Sequence, residues 1–133
     1  MDTIAEATAV LQNKHQTEEK RAAAAHYLGE NGTEETAYVL VSALDDDDYG
    51  VHWAASEGLA QLGDAAMPAL LKRLISPDCS PRVIHGAKHV FHTSSSPAVR
   101  AETKQLVKAI HGSAQDIAVM RAASNLLQKL HIS

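Results

Sequence analysis

Aromatic residues, cysteine and long apolar runs are all scarce in this chain of 133 residues. Aromatic side chains make up 4% of it, and the one cysteine, Cys79, cannot close an internal disulfide. No apolar run approaches the ~20 residues that cross a bilayer, and the first residues lack the basic region of a signal peptide. We therefore expect a soluble, cytoplasmic protein. Cys79 lies in a proline-bracketed loop that could expose a reactive thiol. We expect no special role for it, because a low thiol pKa needs cationic neighbours or a helix N-terminus and Arg82 is the only cation nearby in the sequence.

Clusters of valine, isoleucine, threonine and tyrosine, which mark β-strands, are also rare. Alanine and leucine are abundant instead, and both favour helix. The chain length suits one domain, spanning 1–133. These features predict an all-α fold and exclude the common sheet architectures.

The charge is distributed unevenly along the chain. Residues 1–66 contain 3 basic and 13 acidic residues, whereas residues 67–133 contain 9 and 3. The two halves therefore have formal charges of −10 and +6, within a total of −4. This asymmetry predicts an electrostatic dipole. Two oligomeric states are compatible with it, an antiparallel homodimer that sets each acidic half against a basic half, and a monomer. The dimer is also favoured by an alanine-rich first helix and by the absence of a complete helix pair at either end.

Two sequence patterns recur at a spacing of about 30 to 36 residues. The first, RAAAAHYLGENG from residue 21, returns as HWAASEGLAQLG from residue 52, with weaker copies in 83–91 and 119–127. The second occurs as TAYVLVSAL (36–44), AMPALLKRL (66–74), ETKQLVKAI (102–110) and IAEATAVL (4–11). We call the helices that they predict first-type and second-type. Apolar residues at helical spacing predict about eight helices in antiparallel pairs.

The second repeat shows the expected helix packing most clearly. Small residues at 54, 55 and 58 allow neighbouring helices to approach closely, and Leu59, Leu70 and Leu74 are predicted to be buried. Thr17 and the Ser-Pro pairs at 80–81 and 96–97 are typical of helix starts.

The stretch VHWAASEGLAQLGDAAMPALLKRL, residues 51–74, resembles the short HEAT-like repeat of phycobilisome lyases. The Val, Ala-Ala, Leu and Gly-Asp positions carry the resemblance, which extends more weakly over nearly the whole chain. It implies a right-handed α-solenoid, an α-α superhelix. The first-type helices would form its convex side and the second-type helices would line a concave binding side.

The resemblance places His52 and Trp53 at outward or flanking positions of a first-type helix. Deoxyhypusine hydroxylases, a related HEAT-like group, bind a di-iron centre through His-Glu pairs near this part of the helix. This chain has His-Trp there and nothing equivalent at 21–22 or 84–85. We therefore expect these residues to be structural and expect no di-iron chemistry.

Three histidines form a stripe on one predicted helix, His85, His89 and His92, with spacing i, i+4, i+7. The repeat alignment places His26 and Glu57 at the same level as His89, on neighbouring helices. Imidazoles so placed could bind a divalent metal. A solvated helix face is the other interpretation, and we favour it because no cysteine or carboxylate lies close in sequence.

The acidic run DDDD at residues 45–48 partly matches a calcium-binding loop. Position 5 of that loop would be Tyr49 and position 12 would be Ser56, where a bidentate glutamate is needed. The run is therefore interpreted as a turn between repeats whose aspartates cap the next helix.

A row of basic residues is the strongest candidate for a binding surface. On the third complete second-type helix Arg100, Lys104, Lys108 and His111 recur on one side, and the repeat alignment places Lys72 beside Lys108. In the same alignment Tyr38 occupies the position that corresponds to Lys104. We call these six residues the predicted basic ledge, suited to an acidic or phosphorylated segment.

The sequence as a whole favours a non-catalytic adaptor or scaffold that binds another protein through its concave face. We find no nucleophile with its base, no phosphate-binding loop and no paired carboxylates, so we expect neither an enzyme nor a cofactor. We expect no nucleic-acid partner, because the pI is about 6.0. The alternatives are a bilin lyase-like or chaperone role, implied by the resemblance alone, and metal binding through the histidine stripe.

Overall fold

A computed structural model describes residues 3–110 and 115–130, and all the regular structure in these ranges is helical. The helices are α1 (Ile4–Gln12), α2 (Glu18–Asn31), α3 (Glu34–Ala43), α4 (Tyr49–Leu62), α5 (Met67–Leu74), α6 (Pro81–Thr93), α7 (Pro97–Glu102), α8 (Lys104–Ile110) and α9 (Gln115–Lys129). A 3-10 turn, Gly63–Ala66, joins α4 to α5. The prediction of an all-α solenoid is confirmed. The second-type segment at 102–110 is interrupted at Thr103, which separates α7 from α8.

The helices alternate between two layers over most of the chain. The first-type helices α2, α4 and α6 pack side by side in one layer, and the second-type helices α1, α3 and α5 pack in the other. One hydrophobic core lies between the layers, and it includes Leu59, Leu70 and Leu74 as predicted. In the described ranges no helix combines the length and apolar composition needed to cross a membrane.

Small residues bring α2 and α4 together at Gly29 and Gly58. A Cβ atom added to Gly29 would lie 2.5 Å from the Cα of Gly58, and one added to Gly58 would lie 2.9 Å from the carbonyl oxygen of Ala25. The two backbones are thus in direct contact, as the small residues of the repeat predict. Ala54 and Ala55 are buried on the same helix.

The predicted helix starts are present. The hydroxyl of Thr17 accepts a hydrogen bond from the backbone N–H of Lys20 at 3.2 Å, which caps α2. Ser80 and Ser96 cap α6 and α7 in the same way, and each is followed by proline at the first helical position. Gly63 ends α4 with φ of +61°, a backbone conformation that favours glycine.

A buried ion pair joins α2 to the loop that precedes α4. The guanidinium of Arg21 donates to both carboxylate oxygens of Asp46, and its Nε–H donates to the carbonyl oxygen of Leu11 at 3.0 Å. Lys14 also contacts Asp46, at 3.2 Å. Burial opposes the charged form of Asp46, but the hydrogen bonds from Arg21, from the Asp48 backbone and from Lys14 prevail. Together they lower the pKa of Asp46 to about 2.

The acidic run is a turn between α3 and α4, as predicted, and its carboxylates also connect successive repeats, which was not predicted. Asp47 forms an ion pair with Arg82 at 2.9 Å, and Asp45 accepts a hydrogen bond from the Ser80 hydroxyl at 2.6 Å. The expected capping is not seen at Asp48, which occupies the N-cap position of α4 without a side-chain cap bond. Its carboxylate is 3.3 Å from Arg21 instead. These carboxylates therefore form contacts between repeats instead of capping α4.

The last helix departs from the repeat order. Residues 119–127 were predicted to form a first-type helix, which would pack against α6, but α9 makes its main contacts with α5 and α8. Leu130, next to its C-terminal end, lines a crevice with Met67 and Pro68 at the start of α5. The prediction was wrong because the apolar stripe of α9 shows that one face is buried without showing which neighbour covers it.

Candidate protein-binding surfaces

Two residues of the predicted basic ledge meet on the second-type layer. The ammonium of Lys72 on α5 donates to the hydroxyl of Tyr38 on α3 at 3.3 Å, and it lies 5.9 Å from the centre of the Tyr38 ring. Both side chains are exposed, and Tyr38 retains 43% of its surface. This part of the ledge therefore exists as a small polar-aromatic surface.

The rest of the ledge is divided between other places. Arg100 donates to the carbonyl oxygen of Ser94, where it closes the turn between α6 and α7. Lys104 is exposed at the start of α8, and His111 lies outside the described residues. Lys108 was expected beside Lys72, but the helix that packs next to α5 is α9. A continuous ledge from α3 to α8 is therefore a prediction that the packing of α9 contradicts.

Lys108 instead lines a groove between α8 and α9, which we call the α8–α9 groove. The groove has a volume of about 490 Å³. Its apolar part consists of Leu106, Ala109, Ala118, Ala122 and Leu126, and its polar part of Glu102, Gln105, Lys108, Arg121, Asn125 and Lys129. The apolar surface that a partner could reach comes from the alanines, because Leu106 and Leu126 are buried, and polar side chains surround it. A concave surface that combines apolar and convergent polar groups suits a binding site.

The electrostatics of the α8–α9 groove are basic. Glu102 is already paired with Lys129 at 2.6 Å, so its charge is compensated. Among the residues whose side chains the structure describes, which do not include those of 111–116, no carboxylate forms an ion pair with Lys108 or Arg121, and both are exposed. Two cationic side chains are thus available at the rim of an apolar groove.

The aromatic and histidine side chains of the first-type layer form a second surface, between α4 and α6. The Trp53 ring contacts the His89 ring edge-on, with centroids 5.1 Å apart, and Tyr49 lies 6.4 Å from Trp53. A crevice of about 200 Å³ lies at one end, lined by Tyr49, His52, Arg82 and His85 among others. Another, of about 380 Å³, lies at the other end beside Glu57 and His89. We call this surface the α4–α6 seam.

His52 is buried, contrary to the prediction of an outward or flanking position. It retains 5% of its surface, and its Nδ1–H donates to the carbonyl oxygen of Leu44 at 2.7 Å. Arg21 makes the equivalent contact with Leu11 one repeat earlier, because both carbonyls end a second-type helix. Trp53 is exposed, as predicted, with 37% of its surface accessible.

The histidine stripe is not assembled into a metal site in the part of the chain that the structure describes. His85 lines the smaller crevice, His89 packs against Trp53 and His92 is exposed in the last turn of α6. No three His, Cys, Asp or Glu side chains among the described residues come together where they could hold a metal ion. His26 and Glu57 approach to 3.8 Å, as their shared register suggested.

Arg121 and Lys129 were not predicted as site residues, because α9 was expected in the first-type layer. Tyr49, which retains 70% of its surface and forms one end of the seam, was not predicted as a site residue either. The spacing of Tyr49, Trp53 and Glu57 at i, i+4, i+8 was visible in the sequence and could have revealed this row.

Comparison with known proteins identifies one family. The family model of HEAT repeats matches residues 4–92, more than half of the chain. The matched range includes the first three pairs of helices up to α6 and the α4–α6 seam, and it ends before α7. Searches of curated proteins and of solved structures gave no match.

Proposed function

The chain belongs to the HEAT-repeat family, and on this basis we propose that it is a non-catalytic adaptor that binds an acidic segment of another protein in the α8–α9 groove. HEAT repeats commonly mediate protein–protein interactions, a use that suits stacked helices with extended surfaces. The combination of an apolar groove with Lys108 and Arg121 at its rim is the observation that carries the proposal.

The chemistry of the groove supports an acidic, amphipathic partner. Leucine-like side chains would cover the half-buried alanines Ala109, Ala118 and Ala122, which lie beside the buried Leu106 and Leu126, while carboxylates would pair with the two rim cations. Arg121 can bind a carboxylate through two parallel hydrogen bonds, which adds orientation to the attraction. The formal charge of +6 on residues 67–133 would also attract such a partner over a longer distance.

A labelled amphipathic peptide of glutamate, aspartate and leucine tests the proposal by fluorescence anisotropy. Lys108→Glu combined with Arg121→Glu should weaken binding at least tenfold, because two attractive pairs become repulsive. Binding of the unchanged protein should also weaken with added salt. Circular dichroism should be unaffected, since both side chains are exposed.

A matched control distinguishes the groove from the predicted basic ledge. Lys72→Glu combined with Lys104→Glu changes the net charge equally, and neither residue lines the groove. This control should retain binding within about threefold. Loss of binding in the control, with binding preserved in the Lys108/Arg121 variant, would place the site on the second-type layer and contradict the proposal.

A further inference from the structure

We propose that the α4–α6 seam binds a second partner, through a segment of that protein that presents arginine. The seam lies on the first-type layer and shares no residue with the α8–α9 groove. The inference therefore holds or fails independently of the function proposed above. The adaptor would then have two binding surfaces, one for an acidic segment and one for a basic segment.

Two exposed aromatic rings lie side by side on the α4–α6 seam. Tyr49 and Trp53 are one turn apart on α4 and retain 70% and 37% of their surfaces. Large aromatic side chains left accessible side by side are characteristic of protein-binding sites, where tryptophan, tyrosine and arginine contribute most of the energy. The Trp53 and His89 rings are in contact, with centroids 5.1 Å apart and an interplanar angle of 77°, so α4 and α6 meet at this aromatic pair.

The charge around the rings selects a cationic partner. Glu57 lies one turn beyond Trp53 and retains 56% of its side-chain surface, with His26 3.8 Å away. The carboxylate of Asp48, which precedes Tyr49, is already 3.3 Å from Arg21, so Glu57 is the carboxylate that a partner would use. Arg82, which lines the smaller crevice, is already paired with Asp47. The α4 wall of the seam belongs to the half of the chain with a formal charge of −10, and the α6 wall to the half with +6, so the attraction for a basic segment comes from the α4 side.

Arginine satisfies both features better than lysine does. Its planar guanidinium stacks on the face of tryptophan or tyrosine and can at the same time donate two hydrogen bonds to a carboxylate. Trp53 and Glu57 are spaced i, i+4 on one helix, so one guanidinium or two neighbouring ones can use both groups. The crevices at the two ends of the seam leave room for flanking residues of the segment.

The emission of Trp53 reports directly on occupancy, because Trp53 is the one tryptophan of the chain. The probe is a synthetic peptide of five Arg-Gly repeats, compared with Lys-Gly and Glu-Gly peptides of the same length. We expect a saturable change in Trp53 emission with the arginine peptide, at least fivefold weaker binding of the lysine peptide, and no change with the glutamate peptide. Equal binding of the arginine and lysine peptides would overturn the stacking argument.

Variants locate the site. Tyr49→Ala and Glu57→Gln should each weaken binding of the arginine peptide at least threefold, as measured by Trp53 emission. Trp53→Ala should weaken binding of the arginine peptide at least tenfold. Because this variant lacks the reporting tryptophan, its binding is measured by the anisotropy of a labelled peptide. The control Glu34→Gln removes an exposed carboxylate from α3, in the other layer, and should leave binding unchanged.

Three results would overturn the proposal. The peptide could bind without changing Trp53 emission, which would place it elsewhere on the acidic half. Its affinity could be the same in Trp53→Ala as in the unchanged protein. Finally, Trp53 emission could change with protein concentration alone while light scattering shows a dimer that Trp53→Ala abolishes, in which case a second copy covers the seam.

Discussion

Arg21 and Asp46 form a buried ion pair across two successive repeats, with 3% and 5% of their side-chain surfaces exposed. Arg21 reaches it from α2, and Asp46 from the loop before α4. The same guanidinium holds the end of α1 through Leu11, so one side chain connects three elements of the solenoid. Most of its hydrogen-bonding capacity is used inside the protein, which makes it structural.

Removing one partner of this pair should destabilise the fold strongly. Asp46→Ala leaves the Arg21 charge buried without its main counter-ion, and we expect a loss of about 3 to 5 kcal/mol in the free energy of unfolding. The control Asp47→Ala breaks the exposed pair with Arg82 and should cost less than about 1 kcal/mol. Urea unfolding measures both variants. Equal effects would show that the burial of the Arg21–Asp46 pair has no energetic consequence.

The lowered pKa of Asp46 predicts a specific loss of stability in acid. A carboxyl with a pKa of about 2 in the folded protein, against 3.8 as its ordinary value, stabilises the fold above pH 4 and loses this contribution as the pH falls through 2. The difference corresponds to about 2 kcal/mol. Between pH 4.5 and 2, the unfolding free energy of Asp46→Asn should therefore fall less steeply than that of the unchanged protein. Parallel curves would contradict the shift.

The repeat pattern made much of the fold predictable. Helices, their starts and the buried leucines follow from apolar spacing, capping residues and the internal alignment, all of which are local properties of the chain. The alignment of Arg21 with His52 also contained the signal for a buried histidine. Leu11 and Leu44 end equivalent second-type helices, so the two side chains have equivalent acceptors.

The neighbour of α9 could not be predicted in the same way. Its buried residues Val119, Ala123 and Leu126 would serve equally well against α6 or against α5. That choice depends on how α7 and α8 are arranged, and Thr103 interrupts them with a hydroxyl that donates to the carbonyl oxygen of Val99 at 2.7 Å. The α8–α9 groove follows from this packing, and it was therefore missed, although Lys108 itself had been singled out.

A leucine and a glutamate two residues apart on α4 test the burial pattern. Leu59 is fully buried, and Leu59→Ala should cost about 2 to 5 kcal/mol because it leaves a cavity in the core. Glu57→Ala should change the unfolding free energy by no more than about 0.5 kcal/mol, since its side chain is largely exposed. Chemical denaturation monitored by circular dichroism distinguishes the two. Similar small effects at both positions would refute the orientation of α4.

The contact between Gly29 and Gly58 gives a prediction whose sign is decided by packing. Alanine is favoured over glycine in a helix by about 1 kcal/mol, so Gly29→Ala would stabilise α2 if the added methyl group had room. The new Cβ would lie 2.5 Å from the backbone of Gly58, which can move only if α2 and α4 separate. We therefore expect a net loss of about 1 to 3 kcal/mol and a lower melting temperature. Gly50→Ala is the control, because there the added atom would meet only the flexible carboxylate of Glu18, and its effect should stay within about 1 kcal/mol. A melting temperature that rises in Gly29→Ala would mean that the two helices are not in backbone contact.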